Sequence, residues 1–417
     1  MKHIKFLSIS LFILLFAVKA SAQTTDDVLN ILIAKGTITQ QDADSIRAAA
    51  AIAKQSAPKP KIFPLSLNTP AFQLSGYTQV RYQTYPKANK PDGLDIRRAR
   101  LSVGGTIRKW EYGVQVDFVG GTSSTVAGGT TSSANTFLSP VLLDAYIAYK
   151  FDDYLKVTTG QFLVPFSSEN NISDKTLETV DRSQVVNALV ARKGDGLNGL
   201  VDSLGNQNGR DLGVQISGSL VKLKKGYLID YYAGLFNGAG INEPDNNESK
   251  DFSGRLLVHP FSILTLGGSY YDGYDKFAKT SAGKDQLRTR WGVEGTLTYK
   301  KLYIRSEFIR GQDGNDRHYV AQPQPAIHQG WYAVVAYYVL PKLQAVFKYD
   351  TYSPEVNPKF TGLHSVSDAS TYFIFGANYY FNPNVKLTAN YNWRTEQGKI
   401  PAIQNNNVVT AQLQLAF

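Results

Sequence analysis

Arg98-Ala99-Arg100-Leu101-Ser102-Val103-Gly104-Gly105-Thr106-Ile107-Arg108 decides the fold. In an extended chain, Ala99, Leu101, Val103, Gly105 and Ile107 share one face, and Arg98, Arg100, Ser102, Gly104, Thr106 and Arg108 share the other. Side chains alternate across a strand, so this segment has one apolar face and one strongly polar face. The pattern returns near the end of the chain. Val385, Leu387, Ala389, Tyr391 and Trp393 interleave with Lys386, Thr388, Asn390, Asn392 and Arg394. Val409, Ala411, Leu413, Leu415 and Phe417 then oppose Thr410, Gln412 and Gln414.

Working outward, the same reading predicts strands near 71–85, 95–108, 110–119, 141–151, 154–165, 209–222, 226–237, 251–259, 263–274, 286–300, 302–312, 328–340, 342–352, 371–381, 384–394 and 407–417. Lys109, Asp152-Asp153, Leu223-Lys224-Lys225, Pro260-Phe261-Ser262, Lys301, Pro341 and Asn382-Pro383 are tight turns, and the connections between them are long and rich in Gly, Ser, Asn and Asp. Strict alternation of short and long connections, with an even number of strands, is the pattern of an outer-membrane barrel and is not required of a soluble sandwich. The expected fold is all-β: a 16-stranded antiparallel transmembrane β-barrel over 71–417, preceded by a short N-terminal helical hairpin. Tyr149, Phe151 and Tyr154, and again Tyr379, Tyr380 and Phe381, cluster beside the turns as interfacial girdles would. Phe417, on the apolar face of the last strand, reads as the signal taken by the outer-membrane barrel assembly machinery.

Composition agrees. The chain of 417 residues holds 25 Tyr, 21 Phe and 35 Gly, only 19% charged residues, and no Cys, which excludes a disulfide framework and thiolate metal sites. No segment approaches the roughly 18 apolar residues of a transmembrane helix, so any membrane crossing is by strands. Lys2, His3 and Lys5, the apolar run Phe6 to Val18, and Ala20-Ser21-Ala22 form a secretory signal peptide over 1–22, with cleavage expected before Gln23. Residues 23–56 read as a periplasmic helical segment: Val28, Leu29, Ile31, Leu32 and Ile33 make one helix, Gly36 stops it, and Thr39 caps a second that contains Ile46. It would serve as a spacer or oligomerisation helix, or as a tether to cell wall or neighbouring subunits. Residues 57–70, with Pro58, Pro60 and Pro64, read as a stiff linker.

About 16 strands enclose a water-filled lumen, so function is read from inward side chains. With the apolar phase facing lipid, the lumen receives Arg81, Arg98, Arg100, Arg108, Lys150, Arg255, Arg288, Arg290, Arg305, Lys348, Lys386 and Arg394, against Asp117, Asp144, Asp211, Asp230, Glu294 and Glu307. Some of these brace the wall as pairs, Arg305 with Glu307 and Arg290 with Glu294, and a positive excess is expected to remain. Arginine presents a permanent fork of donors suited to oxyanions, and basic rings are the expected device of anion pores. The longest connection, about 166–208, is expected to fold inward and narrow the pore, with a short helix within Asp174–Leu189. Glu169, Asp181, Arg182, Arg192 and Lys193 are its candidate constriction charges. The alternative is a connection lying over the mouth.

Other signals are weaker. Gly194-Asp195-Gly196-Leu197-Asn198-Gly199 has dinucleotide-loop spacing but opens no helix after a strand. Glu243, Asp245, Glu248 and Asp251 form an acidic connection. His3, His259, His318, His328 and His364 show no metal-ligand spacing and stand near no nucleophile motif, so no metal, cofactor or enzyme chemistry is expected.

Several stretches, in order, are similar to the phosphate-selective porins O and P: Arg97-Arg98-Ala99-Arg100-Leu101, Trp110, Gln115-Val116-Asp117-Phe118, Leu143-Asp144-Ala145-Tyr146, Gly160-Gln161-Phe162, Pro165-Phe166 with Glu169, Arg210-Asp211-Leu212-Gly213-Val214 and Gly234-Leu235-Phe236-Asn237-Gly238. The resemblance spans about Phe72 to Phe417 and implies a homotrimeric 16-stranded barrel with an inward third loop and an arginine-lined path for phosphate-type anions. The leading expectation is therefore a Gram-negative outer-membrane porin giving passive diffusion of small anions. Its partners would be outer-membrane lipid, lipopolysaccharide and the assembly machinery, with no nucleic acid. A general nutrient porin and a structural or adhesive outer-membrane protein are the alternatives.

Overall fold

The structure, a computed structural model, describes residues 69–86, 92–119, 140–190, 209–242, 244–245, 247–275, 286–313, 324–359, 369–396 and 407–417, together with 32, 33, 35, 37 and 39. Sixteen strands follow one another: β1 (Gln73–Thr84), β2 (Gly93–Ile107), β3 (Trp110–Asp117), β4 (Val141–Asp152), β5 (Leu155–Leu163), β6 (Arg210–Lys222), β7 (Tyr227–Phe236), β8 (Asp251–Phe261), β9 (Leu264–Asp275), β10 (Gln286–Tyr299), β11 (Leu302–Asp313), β12 (Ala326–Leu340), β13 (Leu343–Ser353), β14 (Ser370–Asn382), β15 (Val385–Glu396) and β16 (Val408–Ala416). Each pairs antiparallel with the next, and β16 returns to β1 with Tyr77 opposite Ala416 and Thr84 opposite Val409, so the sheet closes. Closure leaves no sheet edge, the condition for strands to cross hydrocarbon.

The period-two pattern is realised on the two surfaces. Val80, Ile107, Val114, Ile147, Val293, Val335 and Leu413 are exposed outward, while Gln79, Arg98, Arg100, Lys348 and Gln412 are buried inward. Two belts of aromatic rings bound the outer apolar band. Trp331, Tyr349, Phe373 and Trp393 stack in sequence across four strands toward the long-connection end, at centroid distances of 4.7, 5.4 and 5.3 Å. Trp110, Tyr149 and Phe151 do the same beside the short turns, at 4.7 and 4.6 Å. Amphipathic rings favour such interfacial depths.

The inner face is mostly polar but carries an apolar patch on β11–β13. Ile309, Tyr332, Val334, Ala336 and Val346 of β11–β13 point inward and are buried. They are covered by the inward connection described below.

Contacts divide the chain into Met1–Ser66 and Leu67–Phe417. In the first unit Leu32 and Ile33 are helical, and the Thr37 N–H donates to the Leu32 carbonyl at 3.0 Å. These residues do not support the helical hairpin expected over 23–56, whose other positions except 35 and 39 lie outside the described residues, as do the signal peptide over 1–22 and all of the 57–70 linker but Thr69 and Pro70.

Candidate functional site

After β5 the chain turns into the barrel. Ser167 takes a positive φ of 72° at the turn, a 3₁₀ turn follows at Asp174–Thr176, and helix α1 spans Gln184–Leu189. The expected helical stretch is thus present as two short pieces. The helix is held by burial. Val185, Val186 and Leu189, with Val164, Phe166 and Val190, pack against Phe236, Ile309, Tyr332, Val334, Ala336 and Val346 of the wall. Gly330 is what lets α1 come so close: a Cβ there would lie 2.8 Å from the Val185 Cβ and 2.4 Å from the Thr351 carbonyl oxygen. The N-terminus of α1 finds its acceptor on the wall, where the Gln184 N–H meets both Asp350 carboxylate oxygens at 3.1 and 3.0 Å.

Around this apolar seat the connection carries carboxylates that meet wall bases. Asp174 accepts Arg98 at 3.2 Å, Arg100 at 2.5 Å and Arg182 of its own segment. Arg100 also reaches Asp117 at 2.7 Å. Glu169 lies 3.0 Å from Lys348 and 3.8 Å from Arg305, and takes the backbone N–H and hydroxyl of Ser183, each at 2.6 Å. Glu178 pairs with Arg305 at 2.6 Å. Lys386 donates to the carbonyls of Lys175 and Leu177 at 3.1 and 2.9 Å. In the opposite sense, wall Glu307 accepts the Ser167 hydroxyl at 2.9 Å and the Ser168 N–H at 3.1 Å.

These pairs set the ionisation of the connection. Burial by itself would raise the Glu169 pKa, but Lys348 and Arg305, with the Ser183 bonds, outweigh it and leave the carboxyl below its ordinary value. Burial also opposes ionisation of Asp174, and Arg182, Arg98, Arg100 and Arg97 overcome it, holding that carboxyl well below the usual aspartate range.

Arg81 pairs with Asp95 and lies 3.8 Å from Asp181, which also meets Arg97 at 3.2 Å. Arg255 pairs with Glu294 at 2.5 Å, and Arg290 with Asp313 at 2.7 Å, beside Arg288 at 4.0 Å. The expected pairs Arg290–Glu294 and Arg305–Glu307 are therefore replaced by partners on neighbouring strands or on the inward connection. The reason is reach: a long guanidinium extends to the adjacent strand, whereas Arg305 and Glu307 are two apart on one strand. Arg394 lies with its guanidinium carbon 4.9 Å from the Tyr372 ring centroid and has no carboxylate partner among the described residues. Arg108 is not on the pore wall. It sits in the β2–β3 turn with φ 58°, exposed, and Lys150 at the same end pairs with Asp153 at 2.7 Å. Arg192 and Lys193 lie outside the described residues.

The broad positive excess expected of the lumen is also corrected. Most wall bases meet a carboxylate, because Asp174, Glu178 and Asp313, absent from the inward set read from the strands, supply partners. Two sequence signals mark the inward connection and its seat. Between Glu169 and Arg182 the acids Glu169, Asp174, Glu178 and Asp181 outnumber the bases Lys175 and Arg182, opposite a basic wall. The run Tyr332-Ala333-Val334-Val335-Ala336 is apolar on both faces, as a strand covered on both sides is.

Chemically the arrangement is a barrel interior into which an insert is held by fixed charges and an apolar seat. Its architecture has known counterparts, all at low sequence identity. OmpT of Vibrio cholerae in its trimer form superposes with a TM-score of 0.56 at 13% identity, over 83% of this chain and 99% of that one. Salmonella typhi OmpF in complex with daunomycin gives 0.59 at 10% identity, over 83% and 97%. The outer-membrane channel DcaP of Acinetobacter baumannii gives 0.53 at 12% identity, over 83% and 97%. No curated protein matches the sequence. The family model for phosphate-selective porin O and P matches residues 72–417, the whole barrel. The chain belongs to that family and is an outer-membrane porin.

Proposed function

We propose that this porin passes small anions, phosphate among them, by passive diffusion past the constriction between the inward connection and the β14–β2 sector of the wall. The observation that carries the reading is the convergence of Arg98, Arg100 and Arg182 on the single carboxylate of Asp174, with only Asp117 adding a second. Guanidinium groups outnumber carboxylates at that point, and Lys386 and Arg394 of β15 add positive charge with no described carboxylate of their own. The family description supports phosphate. A fixed local excess of Arg and Lys raises anion occupancy in a narrow pore.

The paired bases elsewhere, such as Arg255 with Glu294, favour a second reading: a general porin in which lumen charge is mainly structural. The salt-gradient reversal potential of the refolded mature protein in a planar bilayer separates the two. An anion-selective potential, with chloride current reduced by low phosphate, supports the first. Anion selectivity without a phosphate effect leaves a generic anion pore, and a cation-selective or neutral potential overturns the anion reading.

We further assign residues 1–22 as a cleaved signal peptide, Phe417 as the assembly signal and a homotrimer as the working form. The trimer reading is supported by the trimer form of the Vibrio cholerae neighbour. Sedimentation of the detergent-solubilised protein tests it, a monomer being the contrary result.

A further inference from the structure

Below the constriction, toward the short turns, one lumen pocket is lined by three tyrosines: Tyr303 of β11, Tyr338 of β12 and Tyr380 of β14. All three are half-buried. The Tyr338 and Tyr380 rings lie 5.9 Å apart at 36°, forming one ring surface in the pocket. These rings are not part of the lipid-facing belt, for which the chain uses their outward neighbours Tyr337 and Tyr379, 47% and 40% exposed.

Polar groups converge on the same pocket. Thr176 and Glu178 come from the inward connection, and Gln344 from β13. The Glu178 carboxylate gives Oε2 to Arg305 at 2.6 Å and keeps further acceptor capacity. Gln344 is 5% exposed, and its Oε1 accepts Asn378 at 3.0 Å. Its amide nitrogen meets no acceptor among the described residues. A donor that faces the pocket without a protein partner is open to a ligand hydroxyl.

We propose that this pocket is a subsite for the ring of a neutral saccharide. The apolar C–H face of a pyranose packs on the Tyr338–Tyr380 surface. Its hydroxyls, each donor and acceptor at once, bridge the Glu178 carboxylate and the Gln344 amide. Lys300 and Lys301 also line the pocket beside Glu178, and the proposal rests on the tyrosine surface and its polar neighbours, not on the anion reading.

The test is ion current through the full mature protein in a planar bilayer, titrated with maltotriose on each side in turn and with sorbitol as a ring-free polyol. The expected result is a saturable fall in current with maltotriose, at lower concentration from the short-turn side, and only a linear viscosity effect with sorbitol. Tyr338→Ala and Tyr380→Ala should each raise the half-blocking concentration about tenfold. Gln344→Leu, close in shape and away from the lipid belt, should raise it severalfold even if the tyrosine variants fail to assemble. A linear maltotriose effect in the native protein overturns the proposal, as does a saturable block unchanged in the variants that form pores. The reversal potential read on the same channels reports anion preference separately, so failure of one reading is distinguishable from failure of the other.

Discussion

Asp174 pairs with three guanidiniums from two parts of the chain, Arg98 and Arg100 on β2 and Arg182 on the connection itself. Removing one partner of a buried ion cluster leaves uncompensated charge, at a cost of about 3–5 kcal/mol. Asp174→Asn should therefore loosen the connection and raise open-channel noise, and it should also strengthen anion selectivity because a fixed negative charge disappears. Noise analysis and reversal potential on the variant check both effects; quiet channels of native selectivity would contradict the assignment. The pH dependence has a definite sign. Glu169 and Asp174 both titrate lower in the folded protein than in an unfolded chain. Their contribution to docking is therefore fully present above the ordinary carboxylate range, about 3.9 to 4.3, and is lost as pH falls through the depressed folded values. The part of the conductance change that the Glu169→Gln, Asp174→Asn variant loses should appear only below about pH 4.5. A transition between pH 5 and 7 would implicate other groups.

At the scale of elements, α1 and the inner faces of β11–β13 form an apolar seat inside a channel, and Gly330 sets its closeness. Gly330→Ala places a Cβ 2.8 Å from the Val185 Cβ and against rigid backbone at Thr351, so α1 must move. Overpacking of this kind costs about 1–3 kcal/mol. The expected outcome is a pore of altered conductance, whereas Gly93→Ala, with nothing within 4 Å, should leave it unchanged. Equal conductance in both variants would mean that α1 does not shape the passage. The strands themselves were legible from alternation, and β2, β15 and β16 fall where their period-two pattern put them, because lipid on one side and water on the other impose opposite chemistries. The seat was not, since period two says which residues point inward and not what covers them. The partners of Arg290 and Arg305 were hidden for a related reason: they lie on other strands or on the connection, and depend on tertiary placement rather than spacing.

At the scale of the whole barrel, closure brings the last residue against the first strand. Phe417 exchanges two backbone hydrogen bonds with Gly76, each 3.0 Å, and its ring lies where a Gly76 side chain would otherwise stand. Two such bonds contribute only about 1–3 kcal/mol together. Deleting Phe417 should thus leave refolding in detergent close to normal while the amount reaching the outer membrane in cells falls severalfold. Equal losses in both assays would make Phe417 a stability residue instead of an assembly signal. The basic wall and acidic connection have the same whole-molecule logic. Fixed charges that would otherwise face water lock an insert across the lumen, and a local excess of arginine remains at its edge.

Single-channel conductance of the native protein against the Glu169→Gln, Asp174→Asn double variant tests that account most directly. Release of the two carboxylates from Lys348, Arg305, Arg98 and Arg100 should free the connection and give larger, noisier channels. Channels of native size and quietness would contradict the view that these ion pairs hold the constriction.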